Sequence, residues 1–350
     1  MDFFLLFCYN YIVMIMKTKN VKIILIVILL LVLSSLILLL IDKNSYKNYS
    51  RSYFYLDTYI NIKVYTTKNE KEMNDIFNDI DYLFDSYHKF TDAFNEYDGI
   101  INVYYLNNKL ANNEGIEIDK RLSSIIKLGM DYYDITNGLF NIASGNLTIR
   151  WKNFIEECDR LPSDNELDVN INIDDISLDN DVYTKKNDVK LDLGGMVKGY
   201  VTELVGNYLE EENIHSYIIN AGGNVKVGKA YNKDAFIVGI TDPNDKEGIF
   251  TKVNVNNLSV VTSGNYQRHC ELDEVSYNHI INPKTKYPSE YMDSVTVVSK
   301  NSLLADIYST YLFLLPVEEG ITIVNSTSDI EAIWYINKDN IVRSDNFNYE

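Results

Sequence analysis

The chain has 350 residues, a formal net charge of −18 and a hydrophobic fraction of 46%. This length suffices for an anchor plus one large domain or two smaller ones, and the hydrophobic fraction is that of a globular protein. The strong negative charge argues against binding to the phosphate backbone of nucleic acids. It also opposes contact with an anionic membrane surface outside an anchoring segment.

The cysteines and histidines form no recognisable metal or disulfide pattern. Cys8, Cys158 and Cys270 are far apart and lack C-x-x-C spacing, and the four histidines are scattered. Neither a zinc site nor a disulfide framework is therefore predicted. Pairing of Cys158 with Cys270 outside the cytosol stays open, although nothing in the sequence favours it.

An apolar segment near the N-terminus predicts a transmembrane anchor. Residues 23–41 are aliphatic except for Ser34 and Ser35, and a helix of this length covers roughly 28 Å, close to the hydrocarbon core of a bilayer. Lysines precede it within residues 1–22, which places that segment in the cytoplasm and the rest of the chain outside. A cleaved signal peptide is the alternative, but the run is long for one and no A-x-A site follows it.

After a polar linker at 42–52, one domain is predicted over residues 53–350. It opens with an alternating pattern typical of a strand over 53–66. Helical spacing of apolar residues then predicts a long amphipathic helix from Met73 to Tyr87 and a second helix from Asp119 to about Asn137.

Short strands dominate the second half of the domain. They are predicted at 216–220, 225–228, 235–241, 253–255 and 258–263, before a final strand at 295–299, helices at 302–315 and 317–325, and a strand at 330–336. Helices and strands interleave without a strict βαβ repeat. This order predicts an α+β fold with a mixed sheet rather than a doubly wound one.

The stretch LDLGGMVKGY at 191–200 predicts a strand end, a glycine turn and the start of a helix over 196–212. A helix N-terminus offers free N–H groups and a positive dipole end, which suit a phosphate. Lys198 adds a cation in the first turn, where the dipole disfavours one, so an anionic group is expected nearby. The alternative is an ordinary strand–turn–helix with a surface lysine.

The stretch ADIYSTYLF at 305–313 is the best metal candidate. On a helix, Asp306, Ser309 and Thr310 stand at i, i+3 and i+4 and share one face. One carboxylate with two hydroxyls is a hard oxygen set that suits Mg²⁺, which needs few protein ligands when phosphates supply the rest. The alternative is that Asp306 only complements the helix dipole.

Two further segments allow both a structural and a functional interpretation. NAGGN at 220–224 places a glycine pair between two strands, which forms either a turn or a close backbone approach to a planar ligand or phosphate. HIINPKT at 279–285 places His279 at a strand end before a turn. Such a histidine is either a structural residue or a catalyst.

Together these segments resemble the ApbE family of FAD:protein FMN transferases, in the form found in Gram-positive bacteria. The resemblance runs from about residue 53 to the C-terminus with the motifs in family order, and it also includes SVVTSGNYQRH at 259–269, HIINPKTKYP at 279–288, and the segments 87–103 and 137–151. It implies an extracytoplasmic enzyme that binds FAD and Mg²⁺. The enzyme would transfer FMN to a Thr or Ser hydroxyl of a partner redox protein and release AMP.

The resemblance also implies roles for individual residues. His279 is the candidate general base, and Asp306 belongs to the catalytic centre as a ligand of the metal. The implied metal ligands are Gly195 through its carbonyl, Asp306, Ser309 and Thr310. The implied FAD contacts are Leu56, Tyr87 as an adenine-stacking ring, Leu139, Phe140, Asn141, Asp192, Lys198 and Ile281. Two alternatives remain: a Mg²⁺-dependent FAD pyrophosphatase, and a membrane-anchored flavin-binding protein without turnover.

Overall fold

The computed structural model describes residues 7–11, 13–14, 19–43 and 45–349. Two compact units are present, one formed by 1–47 with 66–69 and the other by 48–65 with 70–350. Much of the predicted N-terminal segment 1–22 lies outside the described residues.

The first unit contains helix α1, Lys19–Lys43, which includes the predicted anchor at 23–41. The side chains of residues 36–43 lie outside the described part of the chain. Among the residues that are described, no helix has both the length and the apolar character that crossing a bilayer requires.

The second unit combines one large sheet, smaller sheets and several helices. The helices are α2 Glu70–Thr91, α3 Val103–Asn108, α4 Lys120–Ile135, α5 Gly145–Glu157, α6 Asp164–Leu167, α7 Val197–Glu211, α8 Ser302–Phe313 and α9 Val317–Ser326. The strands are β1 Lys47–Tyr55, β2 Thr58–Thr66, β3 Gly115–Glu117, β4 Ile176–Asp179, β5 Val182–Lys185, β6 Ser216–Ala221, β7 Asn224–Val227, β8 Phe236–Asp242, β9 Asp245–Val255, β10 Leu258–Gly264, β11 His269–Leu272, β12 Val275–Asn278, β13 Ser294–Ser299, β14 Ile330–Asn337 and β15 Asn340–Arg343.

The large sheet has the strand order β1-β2-β6-β7-β10-β13-β14-β15. Its described ladders from β2 to β15 pair antiparallel. Helix α8 packs against α7 and against the central strands β10 and β13, so the two helices lie together over the middle of the sheet. The α+β expectation is confirmed, as are the helices predicted from apolar spacing at α2, α4, α7, α8 and α9.

The strand predicted over 53–66 is in fact a hairpin. β1 ends at Tyr55 and β2 begins at Thr58, because Leu56 and Asp57 adopt left-handed backbone angles with φ of 53° and 55°. Two consecutive positive φ values give the tight turn that matches the twist of a hairpin. The alternating pattern continues through the turn and therefore hides it.

The strand end predicted at Leu191–Leu193 is not part of a sheet. A buried asparagine takes the place of a neighbouring strand there, since Asn107 Nδ2 donates to the Leu191 carbonyl at 2.9 Å and its Oδ1 accepts from the Leu191 N–H at 2.7 Å. Asp192 N–H donates to the Ile142 carbonyl at 2.8 Å. The segment is extended, but side-chain and loop groups satisfy its backbone.

A disulfide joins Cys158, directly after α5, to Cys270 in β11. The sequence left this pairing open, because the two residues are 112 positions apart. A disulfide typically stabilises a fold by roughly 2–4 kcal/mol. The bond attaches the β11–β12 hairpin to α5, and Trp151 reinforces the attachment by stacking on Tyr277 with ring centroids 6.1 Å apart.

Candidate functional site

The candidate site lies where α7 packs against α8 at Gly199. A Cβ placed on Gly199 would lie 2.5 Å from the Asp306 Cβ and 2.6 Å from the Ser302 carbonyl oxygen. Contacts that short do not occur, so only glycine allows this approach of the two helices. The approach brings the Gly199 N–H to 2.7 Å from the Asp306 Oδ2, to which it donates.

Asp306 is a buried carboxylate with little to compensate its charge. Its residue is 5% exposed, and burial raises the pKa of its carboxyl, while the nearby Lys198 charge, the Gly199 N–H and the Asn224 amide act in the opposite direction. An ionised carboxylate away from water is costly unless it is paired or coordinates a metal. This position therefore fits a bound divalent cation.

Two more of the predicted metal ligands lie at the same place. A Cβ on Gly195 would lie 3.6 Å from the Thr310 Oγ1, so the glycine turn faces the hydroxyl one helical turn after Asp306. Asp306 and Thr310 thus share the side of α8 that meets the 194–199 segment. Oxygen ligands of this kind are those that Mg²⁺ prefers.

Ser309 is oriented differently. It is fully buried, and its Oγ donates to the Asp306 carbonyl at 2.9 Å while lying 2.9 Å from the Ser263 Oγ in β10. Its hydroxyl therefore ties α8 to the sheet. This geometry favours a packing role for Ser309 over the metal-ligand role that was predicted for it.

His279 lies among cations. Its backbone N–H donates to the Arg268 carbonyl at 3.2 Å, and the Arg268 and Lys198 charges act on its ring. Desolvation, followed by these two charges, lowers the pKa of the His279 imidazole to about 4. The imidazole is therefore neutral at physiological pH, which is the form that a proton acceptor needs. The Lys198 charge also acts on Asp306, so Lys198 lies between the His279 side and the Asp306 side of the site.

Asp192 shapes the turn that carries Gly195. Its Oδ1 accepts from the Gly194 N–H at 2.8 Å, an Asx-type bond that stabilises a turn. A single bond leaves a carboxylate with further acceptor capacity. Asp192 therefore retains oxygens that a ligand's donor groups can use.

Leu56 and Tyr87 lie together at the β1–β2 turn and the end of α2. The Leu56 N–H approaches the His88 Nδ1 at 3.4 Å. Tyr87 is 4% exposed, and its ring packs on that of Tyr200 with centroids 5.4 Å apart. Tyr200 follows Lys198 closely on α7, so this group borders the site, but the burial of Tyr87 favours a core role over adenine stacking.

The segment 139–141 approaches the site from another side. Phe140 lies against the turn, since a Cβ on Gly195 would be 3.1 Å from its Cε2, and Leu139 belongs to the apolar cluster that surrounds α8. Asn141 is braced within the protein, with its Nδ2 donating to the Ile171 carbonyl at 2.9 Å and its Oδ1 accepting from the Ala143 N–H.

A cavity of about 400 Å³ lies beside Asn141 and is also lined by Lys284 and Lys286. Ile281 lies near it in sequence and packs on the cluster of Leu147 and Trp151. Lys286 is paired with Asp168 at 3.1 Å, so of these two lysines Lys284 is the one whose charge favours an anionic ligand group in the cavity.

The structure thus brings together Gly195, Lys198, His279, Asp306 and Thr310, with Phe140 and Asp192 at the turn. Within the described part of the chain there is no group of three or more His, Cys, Asp or Glu side chains that could hold a metal ion.

Two site residues were missed by the sequence reasoning. The Arg268 charge acts on the ring of His279. In the sequence, the feature that could have indicated this residue is a cation beside His269 in a polar segment of an otherwise acidic chain. Asn224, the last residue of NAGGN, lies beside Asp306. In the sequence, only the glycines of that motif indicate a function. The sequence gives no sign that β7 runs under the start of α8.

Comparison with known proteins places these features in a family. The model of the ApbE family matches residues 56–334. The FAD:protein FMN transferase of Klebsiella pneumoniae (strain 342) is 36% identical over 165 residues, which are 47% of this chain and 51% of that protein. The chain thus spans about half the length of that relative. The FAD:protein FMN transferase of Treponema pallidum (strain Nichols) is 25% identical over 316 residues, covering 82% of this chain and 84% of that protein.

Solved structures agree with the fold. The ApbE protein of Thermotoga maritima superposes with a TM-score of 0.77 at 26% identity, covering 86% of this chain and 98% of that one. The flavin transferase ApbE of Vibrio cholerae gives a TM-score of 0.74 at 20% identity with the same coverages, a similarity that concerns the fold alone.

The cationic surroundings of His279 lead to a testable pKa. Replacing Arg268→Gln removes a charge that disfavours the imidazolium, so the pKa of His279 rises from about 4 towards the ordinary value near 6.5 and stays below it because burial remains. The pKa is measured by NMR titration of the histidine ring protons, with the resonance assigned by its loss in His279→Gln. Lys300→Gln is the control and leaves this pKa unchanged. An unaltered titration in Arg268→Gln would show that this arginine does not face the ring.

Proposed function

The chain belongs to the ApbE family, and on that basis we propose that it transfers the FMN part of FAD to a Thr or Ser hydroxyl of a partner protein, with Mg²⁺, and releases AMP. Relatives named FAD:protein FMN transferase support this activity. The observation that carries it for this chain is the burial of the Asp306 carboxylate against Gly199, with the Lys198 charge nearby.

The reaction requires charge stabilisation on a pyrophosphate and removal of a proton from an alcohol. The acceptor hydroxyl attacks the FMN-side phosphorus, the new O–P bond forms, and the P–O–P bond to AMP breaks. Lys198 and Arg268 provide positive charge for the phosphate oxygens as negative charge builds up. His279, whose pKa of about 4 keeps it neutral, takes the proton of the attacking hydroxyl.

Asp306, Thr310 and the Gly195 carbonyl would hold the Mg²⁺. When bound, Mg²⁺ neutralises charge on the phosphates and orients them. The residues themselves contribute a site from which water is largely excluded, because Asp306 is buried between α7 and α8. Asp192 and the residues 139–141 would position the FAD from the turn and from the adjacent segment.

We also propose that the catalytic domain lies outside the cytoplasm and is tethered by residues 23–41. The apolar sequence of this segment and the lysines before it support the tether. The disulfide between Cys158 and Cys270 supports an oxidising compartment, since such bonds are rare in the cytosol.

The proposed activity is tested by incubating the purified chain with FAD, Mg²⁺ and an FMN-accepting domain. Wild type should make the acceptor covalently fluorescent in a denaturing gel. Asp306→Ala should lower the initial rate at least about 100-fold, because it removes the carboxylate that would hold the Mg²⁺ and so the cation that neutralises charge on the phosphates. Asp339→Asn, in an exposed turn, serves as the matched control and keeps the wild-type rate. Full activity of Asp306→Ala would refute the assignment.

The same assay separates transfer from hydrolysis. Free FMN that forms at an equal rate with and without acceptor indicates a pyrophosphatase. FAD that remains intact under all conditions indicates a binding protein without turnover.

The proposed location predicts the state of the cysteines in cells. When cells are quenched in acid and the denatured chain is treated with a polyethylene glycol maleimide, we expect one labelled cysteine, Cys8, which is free. Prior reduction should give three. Three labels without reduction would show that Cys158 and Cys270 are thiols in the cell and would contradict an oxidising compartment.

A further inference from the structure

The NAGGN segment at 220–224 contains a residue that the mechanism above leaves without a role. Its glycines form the turn between β6 and β7, with φ of 58° at Gly222 and 92° at Gly223, and Ala221 pairs with Asn224 across it. The turn explains the glycine pair. It does not explain why a polar residue that is 0% exposed begins β7.

Asn224 reaches α8 at two points. Its Oδ1 accepts from the Ser302 Oγ at 2.7 Å, and Ser302 is the first residue of that helix. Asp306 follows four residues later and so lies on the same face, one turn along. The Asn224 amide also lies close enough to the Asp306 carboxylate to act on it electrostatically.

The Nδ2 group of Asn224 is nevertheless without a hydrogen bond of good geometry to any described residue. A buried amide donor is normally paired, and the ionisable acceptor on which this amide acts is Asp306. On that carboxylate, the Gly199 N–H already engages Oδ2. Nδ2 of Asn224 is therefore available to donate to the Asp306 carboxylate when that carboxylate binds a cation.

We propose that Asn224 is a positioning residue whose amide orients the Asp306 carboxylate for a divalent cation. The inference rests on the proposed function, because that function assigns Asp306 to the metal. Ser302 fixes the amide by holding Oδ1, which leaves Nδ2 as the donor for the carboxylate. Groups that orient a metal ligand in this way typically change metal affinity 10–100-fold when they are removed.

A purely structural role makes a different prediction. If Asn224 only joins β7 to the start of α8 through Ser302, its loss lowers stability and leaves metal affinity unchanged. The matched control is Asn102→Leu, since Asn102 is also 0% exposed and has both amide groups engaged, one as the N-cap of α3 and one with the Asn95 carbonyl.

The experiment measures Mn²⁺ affinity of the purified full chain without FAD, by electron paramagnetic resonance of the free ion, together with thermal unfolding. Asn224→Leu should weaken Mn²⁺ binding about 10–100-fold, whereas Asn102→Leu should lower the melting temperature and keep the wild-type affinity. Ser302→Ala, which leaves Nδ2 in place but releases Oδ1, should give a smaller loss of affinity and provides a second variant should Asn224→Leu not fold.

The outcomes separate this inference from the proposed function. If Asp306→Ala loses Mn²⁺ binding while Asn224→Leu and Ser302→Ala bind as wild type, the positioning role is wrong and the metal site stands. If Asp306→Ala itself binds Mn²⁺ as wild type, the metal assignment fails. Equal loss of affinity in Asn102→Leu and Asn224→Leu would also overturn the proposal, because it would mark a general effect of destabilisation.

Discussion

The structure depends on placing a carboxylate in the contact between two helices. Asp306 is excluded from water by α7 and α8, which approach so closely at Gly199 that any side chain there would overlap the Asp306 Cβ. Such burial costs several kcal/mol for an unpaired charge. The described groups that offset the charge are the hydrogen-bonded Gly199 N–H and the nearby Asn224 amide and Lys198 charge, and the proposed cation would supply the remaining compensation.

The surrounding elements hold that contact in place. Lys226 in β7 is buried and reaches Glu203 of α7 at 2.9 Å, and the same Glu203 oxygen accepts from the Ser302 N–H at the start of α8 at 2.6 Å. Gly206 leaves room for the Lys226 side chain, because a Cβ there would lie 2.5 Å from the Lys226 Cε. β7 thus connects both helices, and the sheet determines which side of α8, the one with Asp306, meets α7.

A second anchor fixes the residues that face this contact from the other side. The β11–β12 hairpin leads into His279, and the disulfide and the stacking of Trp151 on Tyr277 attach it to α5. Because Arg268 enters the hairpin and His279 leaves it, their mutual contact follows from the ladder between β11 and β12. The cationic side of the site is therefore also tied to the rest of the domain, through the hairpin and α5.

Local sequence patterns predicted much of the fold, but few of the residues that support the candidate ligands from behind. The apolar spacing of α2, α7 and α8 is a local property and was sufficient, and the motif around Asp306 singled out the carboxylate that is buried between α7 and α8. The turn at Leu56–Asp57 was missed because strand alternation does not report φ. Asn107, Asn224 and the pairing of Cys158 with Cys270 act over separations of 84, 78 and 112 residues, for which a single sequence carries no periodic signal.

The most direct test of the account is the position of a bound cation. Crystals of the protein grown with FAD and Mn²⁺ and measured at an energy where manganese scatters anomalously should show one strong peak within coordination distance of Asp306, Thr310 and the Gly195 carbonyl. A peak elsewhere, with the Asp306 carboxylate still bonded only to protein groups, would contradict the central claim that this buried carboxylate exists to hold the metal.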